Sequence, residues 1–197
     1  MTRGFDVSKW QSPDSVQYSR AKELGYTFMF ARHSYGIMSD STFMRHIVLA
    51  MRHGLLVGGY QYMVPQQTAV AQAQMAAQIG KDLPLGMALD VEEDNLRPES
   101  VDAWVREYIR LTGKNPTIYT SKSKWNTVYK GKAHIHGKLP LWVANYTTAK
   151  APAMPTGWSH YTYWQHGTQG DMGLLPNKEL DLNRFNGTPE ELAKLAI

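Results

Sequence analysis

Two carboxylates one residue apart, Asp90 and Glu92, close the run PLGMALDVEED between Pro84 and Asp94. Glu93 and Asp94 follow at once. The apolar residues ahead of the acids, and Val91 between them, predict a β-strand. Side chains alternate faces along a strand, so Ala88, Asp90 and Glu92 share one side and Leu89 and Val91 the other. Glu93 then points away from Glu92, and Asp94 lies past the strand. Burying one carboxylate is costly, and a second beside it drives the two pKa values apart. One acid protonated and one ionised is the condition for acid–base chemistry on a glycosidic bond. Alone, D-x-E more often marks a strand that ends in a solvated acidic turn. The rest of the chain must decide.

The elements that would position these acids alternate regularly. Arg3–Ser8 predicts a strand with Phe5 and Val7 on one face and Asp6 on the other. Ser12-Pro13 looks like an N-cap and first helical position, opening a helix that runs to Gly25. A strand at Tyr26–Arg32, a helix at Asp40–His53, a strand at Leu55–Tyr62 and a helix at Thr68–Ile79 follow. Gly58-Gly59 marks a crowded or bent place in the third strand. After the acidic strand, Val101, Trp104, Val105, Tyr108 and Ile109 form a helical stripe closed by Gly113. Asn115–Thr120 predicts a fifth strand and Lys122–Tyr129 a short helix. Then the rhythm changes: Leu139–Tyr146, Ser159–Gln165 and Glu179–Phe185 read as strands without helices between them.

Five β-α units and three further strands predict an α/β fold, an irregular TIM-like barrel of eight strands with about five helices. A flat doubly wound sheet is the structural alternative. With no linker or repeat, residues 1–197 form one catalytic domain on this reading. Barrel active sites lie at the C-terminal ends of the strands. Those ends offer Asp6, Arg32, Tyr62, Asp90 with Glu92, Tyr119, Trp142 with Asn145, Trp164 with Gln165, and Asp181. Carboxylates, rings and amides together suit a hydroxyl-rich substrate.

Composition narrows the classes. No apolar run approaches the roughly 20 residues of a membrane helix, so no membrane insertion is expected. The start, MTRGFDVSKW, lacks the apolar segment of a signal peptide. The absence of cysteine excludes disulfides and thiolate metal sites. The histidines are scattered; His134 and His136, the close pair, read as a basic surface loop, and no metal or cofactor is expected. A net charge of +4, concentrated in Lys122, Lys124, Lys130, Lys132 and Lys138, favours an acidic partner. No nucleic-acid recognition motif accompanies it, and an anionic cell wall would serve as well. The 11 Tyr and 6 Trp exceed what such a core needs and include candidate sugar platforms, Trp10, Trp142 and Trp164 near strand ends.

Several stretches together resemble the glycoside hydrolase family 25 lysozymes. GFDVSKWQ (Gly4–Gln11) is similar to the family's opening G-x-D-V-S-x-W-Q, and ALDVEE (Ala88–Glu93) to its D-x-E strand. TGKNPTIYTSKSKWN, LPLWVANY, YWQHG and LDLNRFNGT resemble its later motifs in the same order. The resemblance implies hydrolysis of the β-1,4 bond between N-acetylmuramic acid and N-acetylglucosamine in peptidoglycan. It implies Glu92 as general acid, with Asp6, Asp90 and Asp181 as the other cleft carboxylates. Arg32, Tyr62, Tyr119, Trp142, Asn145 and Trp164 are the expected substrate-binding residues. A monomer acting on glycan strands is expected, made in a host cytoplasm and reaching the wall as a phage endolysin released with a holin, or on a virion. No cell-wall-binding module is expected beyond the closing motif. A chitinase-type β-1,4-glycosidase and a non-catalytic glycan-binding barrel are the alternatives. The chain departs from the family pattern at Tyr60-Gln61-Tyr62, where the family often has a Tyr-His-Phe-like strand end, at His33 and near His46, and these departures bear on subsite preference.

Overall fold

The computed structural model describes residues 1–132, 135–169, 173–175 and 179–196; His134 lies outside them. In chain order the elements are β1 (Thr2–Val7), α1 (Tyr18–Glu23), β2 (Tyr26–Tyr35), β3 (Met38–Ser39), α2 (Phe43–Arg52), β4 (Leu56–Tyr62), α3 (Ala69–Gly80) and β5 (Met87–Asp90). Then come α4 (Pro98–Thr112), β6 (Thr117–Thr120), α5 (Lys122–Val128), a 3-10 turn (Ile135–Lys138), β7 (Leu141–Ala144), β8 (Tyr163–Gln169), β9 (Leu180–Phe185) and α6 (Pro189–Leu195).

Eight strands pair in the order β1-β9-β8-β7-β6-β5-β4-β2, and β2 pairs back onto β1, which closes the barrel. β3 is a two-residue return strand on β2. Neighbours are parallel except at β9, which runs antiparallel to both β8 and β1. The flat-sheet alternative is thereby excluded.

Alternation along the strands makes two cores. Phe28, Phe30, Ala88, Tyr119, Trp142 and Tyr163 fill the barrel interior. Residues of opposite parity, among them Phe5, Met29, Leu89, Val91, Ile118 and Val143, pack outward beneath the helices. Glycine makes room for the interior rings: a Cβ on Gly58 would sit 2.3 Å from the Phe30 ring. That contact is the crowded place foreshadowed by the glycine pair. Helix α4 buries its stripe of Val101, Trp104, Val105 and Tyr108 and ends at Gly113, which takes φ 70°.

Two helices differ from expectation. The first is shorter than the predicted one. Ser12–Gln17 form turns, and the Gln17 N–H donates to the Leu174 carbonyl rather than within a helix. Only Tyr18–Glu23 is helical. The second, α6, was not expected at all. Thr188 and Glu191 cap it reciprocally, Thr188 Oγ1 accepting from Glu191 N and Glu191 Oε2 from Thr188 N. Its fully buried Leu192 joins Phe185 in the interior cluster and plugs the end of the barrel opposite the strand C-termini.

Candidate active site

A cleft opens at the C-terminal mouth of the parallel strands. Asp6 enters it from β1, Arg32 from β2, Tyr60 and Tyr62 from β4, and Asp90 and Glu92 from β5 and the turn after it. Tyr119, Trp142 and Gln165 complete the floor, and Ser8 and Trp10 one wall. Asp181 reaches the same mouth for a reason the sequence reading missed. It stands near the start of β9, not at a C-terminal end, and the antiparallel direction of that strand brings it opposite Asp6. The strand with D-x-E stops at Asp90, yet Glu92 keeps the inward face.

Hydrogen bonds order the floor. Asp6 Oδ2 accepts from Gln165 Nε2 at 2.9 Å and Asn183 Nδ2 at 2.7 Å. Asn183 Oδ1 accepts from Trp142 Nε1 at 2.7 Å, and Gln165 Oε1 from the Tyr119 hydroxyl at 2.9 Å. Tyr146 donates to Asp181 Oδ1 at 2.6 Å. Arg32 is held by Asp40, Nε to Oδ2 at 3.0 Å, and the same oxygen accepts from Lys9 N at 2.8 Å. Asp40 thus ties Arg32 to the loop that carries Ser8 and Trp10. Burial works against its charge, but hydrogen bonds from Thr42 and Lys9 and the Arg32 charge hold its carboxyl below the usual range.

The four cleft carboxylates all move the other way. Burial, then the charge of Asp181, raises Asp6 well above the usual range, although its two amide donors oppose the shift. Asp90 rises through burial and the charges of Glu92 and Asp6, with Arg32 opposing. Its Oδ1 is buried without a hydrogen-bond partner. Burial also raises Glu92; Lys124 opposes, while Asp181 and Glu93 add to the rise. Asp181 rises by burial against the Tyr146 hydrogen bond. All four carboxyl groups facing the groove therefore hold their protons to higher pH than an ordinary carboxylate, the direction a general acid requires.

Two predicted site residues are not brought to the cleft. Trp164 lies between the inward-facing Tyr163 and Gln165, so it points outward into the helix-facing core, with Nε1 donating to the Asn145 carbonyl at 2.8 Å. Asn145 passes the rim, and its Oδ1 accepts from Ala153 N at 2.8 Å. Glu93 lies behind the cleft wall, accepting from the Tyr62 hydroxyl at 2.6 Å. Tyr60 and Asn183 were missed, although alternation from Tyr62 and Asp181 puts both on the inward face. Trp10, a candidate sugar platform from its place near a strand end, stands on the cleft wall 66% exposed.

Of the departures from the family pattern, Tyr62 lines the cleft, whereas Gln61, His46 and His33 sit outside its lining. Buried Gln61 accepts from Trp104 Nε1 at 2.6 Å and donates to Ser34 Oγ and the Gly36 carbonyl. Buried His46 lies between the Tyr18 hydroxyl, 2.5 Å from Nδ1, and the Gln11 carbonyl, 3.0 Å from Nε2. His33 is buried against Phe43. Among the described residues no group of three or more His, Cys, Asp or Glu side chains is arranged to hold a metal ion.

The sequence profile of Glycosyl hydrolases family 25 matches residues 5–173. Lysozyme M1 of Streptomyces globisporus is 29% identical over 212 residues, covering 98% of this chain and 71% of its own. The N,O-diacetylmuramidase of Chalaropsis sp is 27% identical, with 98% of each chain covered. Among solved structures, a bacterial lysozyme from Streptomyces coelicolor superposes with a TM-score of 0.88 at 27% identity, covering 99% of this chain and 96% of that one. A muramidase from Acremonium alcalophilum gives 0.86 at 28% identity, over 100% and 99%.

Proposed function

Because this chain belongs to family 25 of the glycosyl hydrolases and is a glycoside hydrolase, we propose that it is a lysozyme of the N-acetylmuramidase type. Its substrate is the peptidoglycan glycan strand, cut at the β-1,4 bond between N-acetylmuramic acid and N-acetylglucosamine. Glu92 is the general acid. One observation carries this assignment: of the four cleft carboxylates, Glu92 alone combines partial exposure, a raised pKa and the lack of a hydrogen bond among the described residues. Asp6 is held by two amides and Asp181 by Tyr146, while Asp90 is only 3% exposed. A half-buried, unrestrained acid can swing its proton onto the leaving oxygen.

The other three carboxylates support that step. Asp90 stabilises the transition state, and its unpartnered buried Oδ1 favours a hydrogen bond from the substrate's 2-acetamido N–H. Asp6 and Asp181, cross-strand neighbours, face the positive charge that develops on the sugar ring. Trp10 and Tyr62 line the cleft as aromatic walls for the sugars, and Arg32, Tyr119 and Trp142 shape the floor. The bacterial wall is the site of action in this reading.

Glu92→Gln tests it. The amide keeps the shape but has no proton to give, so release of reducing ends from peptidoglycan should fall by about 10²–10⁴-fold. Circular dichroism should be unchanged. A folded variant that digests walls at the wild-type rate would remove Glu92 from the role.

A further inference from the structure

The inward faces of β6 and β7 continue past the cleft and over the barrel rim. Ser121 comes two residues after Tyr119, and Ala144 two after Trp142. Both line a second groove with Lys122, Asn126 and Asn145. The amides there are fixed in one orientation. Asn126 Oδ1 accepts from Thr156 N at 3.0 Å, and Asn145 Oδ1 from Ala153 N at 2.8 Å. A backbone N–H can only donate, so each contact assigns the oxygen and leaves the NH2 group without a partner among the described residues. Lys122 adds an exposed ammonium. The neighbouring Lys124 is already taken by Asp94, at 2.6 Å. No carboxylate lines the groove among the described residues. Two fixed amide donors and a cation, with no acid beside them, select an anion.

We propose that this groove binds a carboxylate of the peptide substituent carried by the substrate's muramoyl residue. The inference rests on the muramidase reading and adds a specificity element to it. Muramic acid bears its peptide through a lactyl ether on the sugar ring, so a peptide leaves the glycan close to the bond being cut. The groove begins where the cleft's own β6 and β7 residues end, which places it within reach of such a branch. That continuity favours the substrate's own carboxylate over a separate phosphodiester polymer of the wall. Asn145, expected in the cleft as part of the end of the predicted strand Leu139–Tyr146, acts one step outside it.

The test compares peptide-bearing peptidoglycan with the same glycan stripped of peptide by an amidase. For Lys122→Glu the ratio of kcat/KM on the two substrates should fall about 5-fold or more, through KM. Lys122→Arg should restore the ratio. Equal losses on both substrates, or no change on either, overturn the proposal. So does a loss that follows the wall's phosphodiester polymers, vanishing on acid-extracted walls that keep their peptides. A wild-type protein inactive on both substrates would instead overturn the muramidase reading, a result distinct from all of these.

Discussion

At the scale of single residues, the cleft is a balance of charges around one proton. Glu92 is pushed up first by burial, then by Asp181 and Glu93, and pulled down by Lys124. As a general acid it works while protonated, so the alkaline limb of the pH–rate profile follows its pKa. Asp181→Asn removes a repelling charge, makes ionisation easier and should move that limb to lower pH. Lys124→Met removes an attracting charge and should move it to higher pH, more at low salt than at high. Limbs that stay in place, or shift in the same direction, would contradict this electrostatic account. Asp90 makes a stability prediction of its own. In the unfolded chain it ionises in the usual carboxylate range, whereas in the barrel it holds its proton to higher pH. Stability therefore falls as pH rises through that interval. Asp90→Asn should melt above wild type at neutral pH, by about 2–4 °C for each kcal/mol relieved. The gain should vanish in acid, where both states are protonated. The pairing of Asp90 with Glu92 was legible because strand parity and two adjacent acids suffice to show it. Trp164 was misplaced because reading only strand ends ignored the parity that makes Tyr163 and Gln165 its inward neighbours.

At the scale of elements, the β-α alternation in the first two thirds of the chain is visible in sequence because each helix buries an apolar face against a strand. The stripe on α4 and the stop at Gly113 are examples. The direction of β9 was not visible. Nothing in ELDLNRF distinguishes a parallel from an antiparallel partner, because alternation is the same in both. Asp181 was therefore selected as a strand end while standing at a strand start. The truncated α1 has a similar cause: Ser12-Pro13 carries an N-cap pattern, but only turns form there, and the Gln17 N–H donates to the Leu174 carbonyl across the fold. By contrast, α6 was available from the T-P-E-E run, a capping-box pattern at Thr188–Glu191. Its importance lies in Leu192, fully buried at the closed end of the barrel. Leu192→Ala should cost about 2–5 kcal/mol in chemical denaturation. Because the site lies at the other end, kcat on peptidoglycan below the melting transition should stay near wild type. A large loss of kcat in a folded Leu192→Ala protein would mean that the plug and the mouth are coupled.

At the scale of the whole molecule, barrel closure brings residues from both ends of the sequence into one site. Asp6 and Asp181 stand 175 positions apart in the chain and face each other across β1 and β9. Closure also separates the two jobs of the fold, since one rim carries the acids and the opposite end carries the hydrophobic plug. Membership of the family and the geometry of the mouth make the chain a glycoside hydrolase. The central claim is the choice of bond. Wild-type protein should therefore be incubated with purified peptidoglycan, and the products reduced with borohydride and analysed by mass spectrometry. The account predicts fragments whose newly formed reducing ends are N-acetylmuramic acid. New ends that are N-acetylglucosamine, or the absence of any new reducing end from active, folded protein, would contradict it.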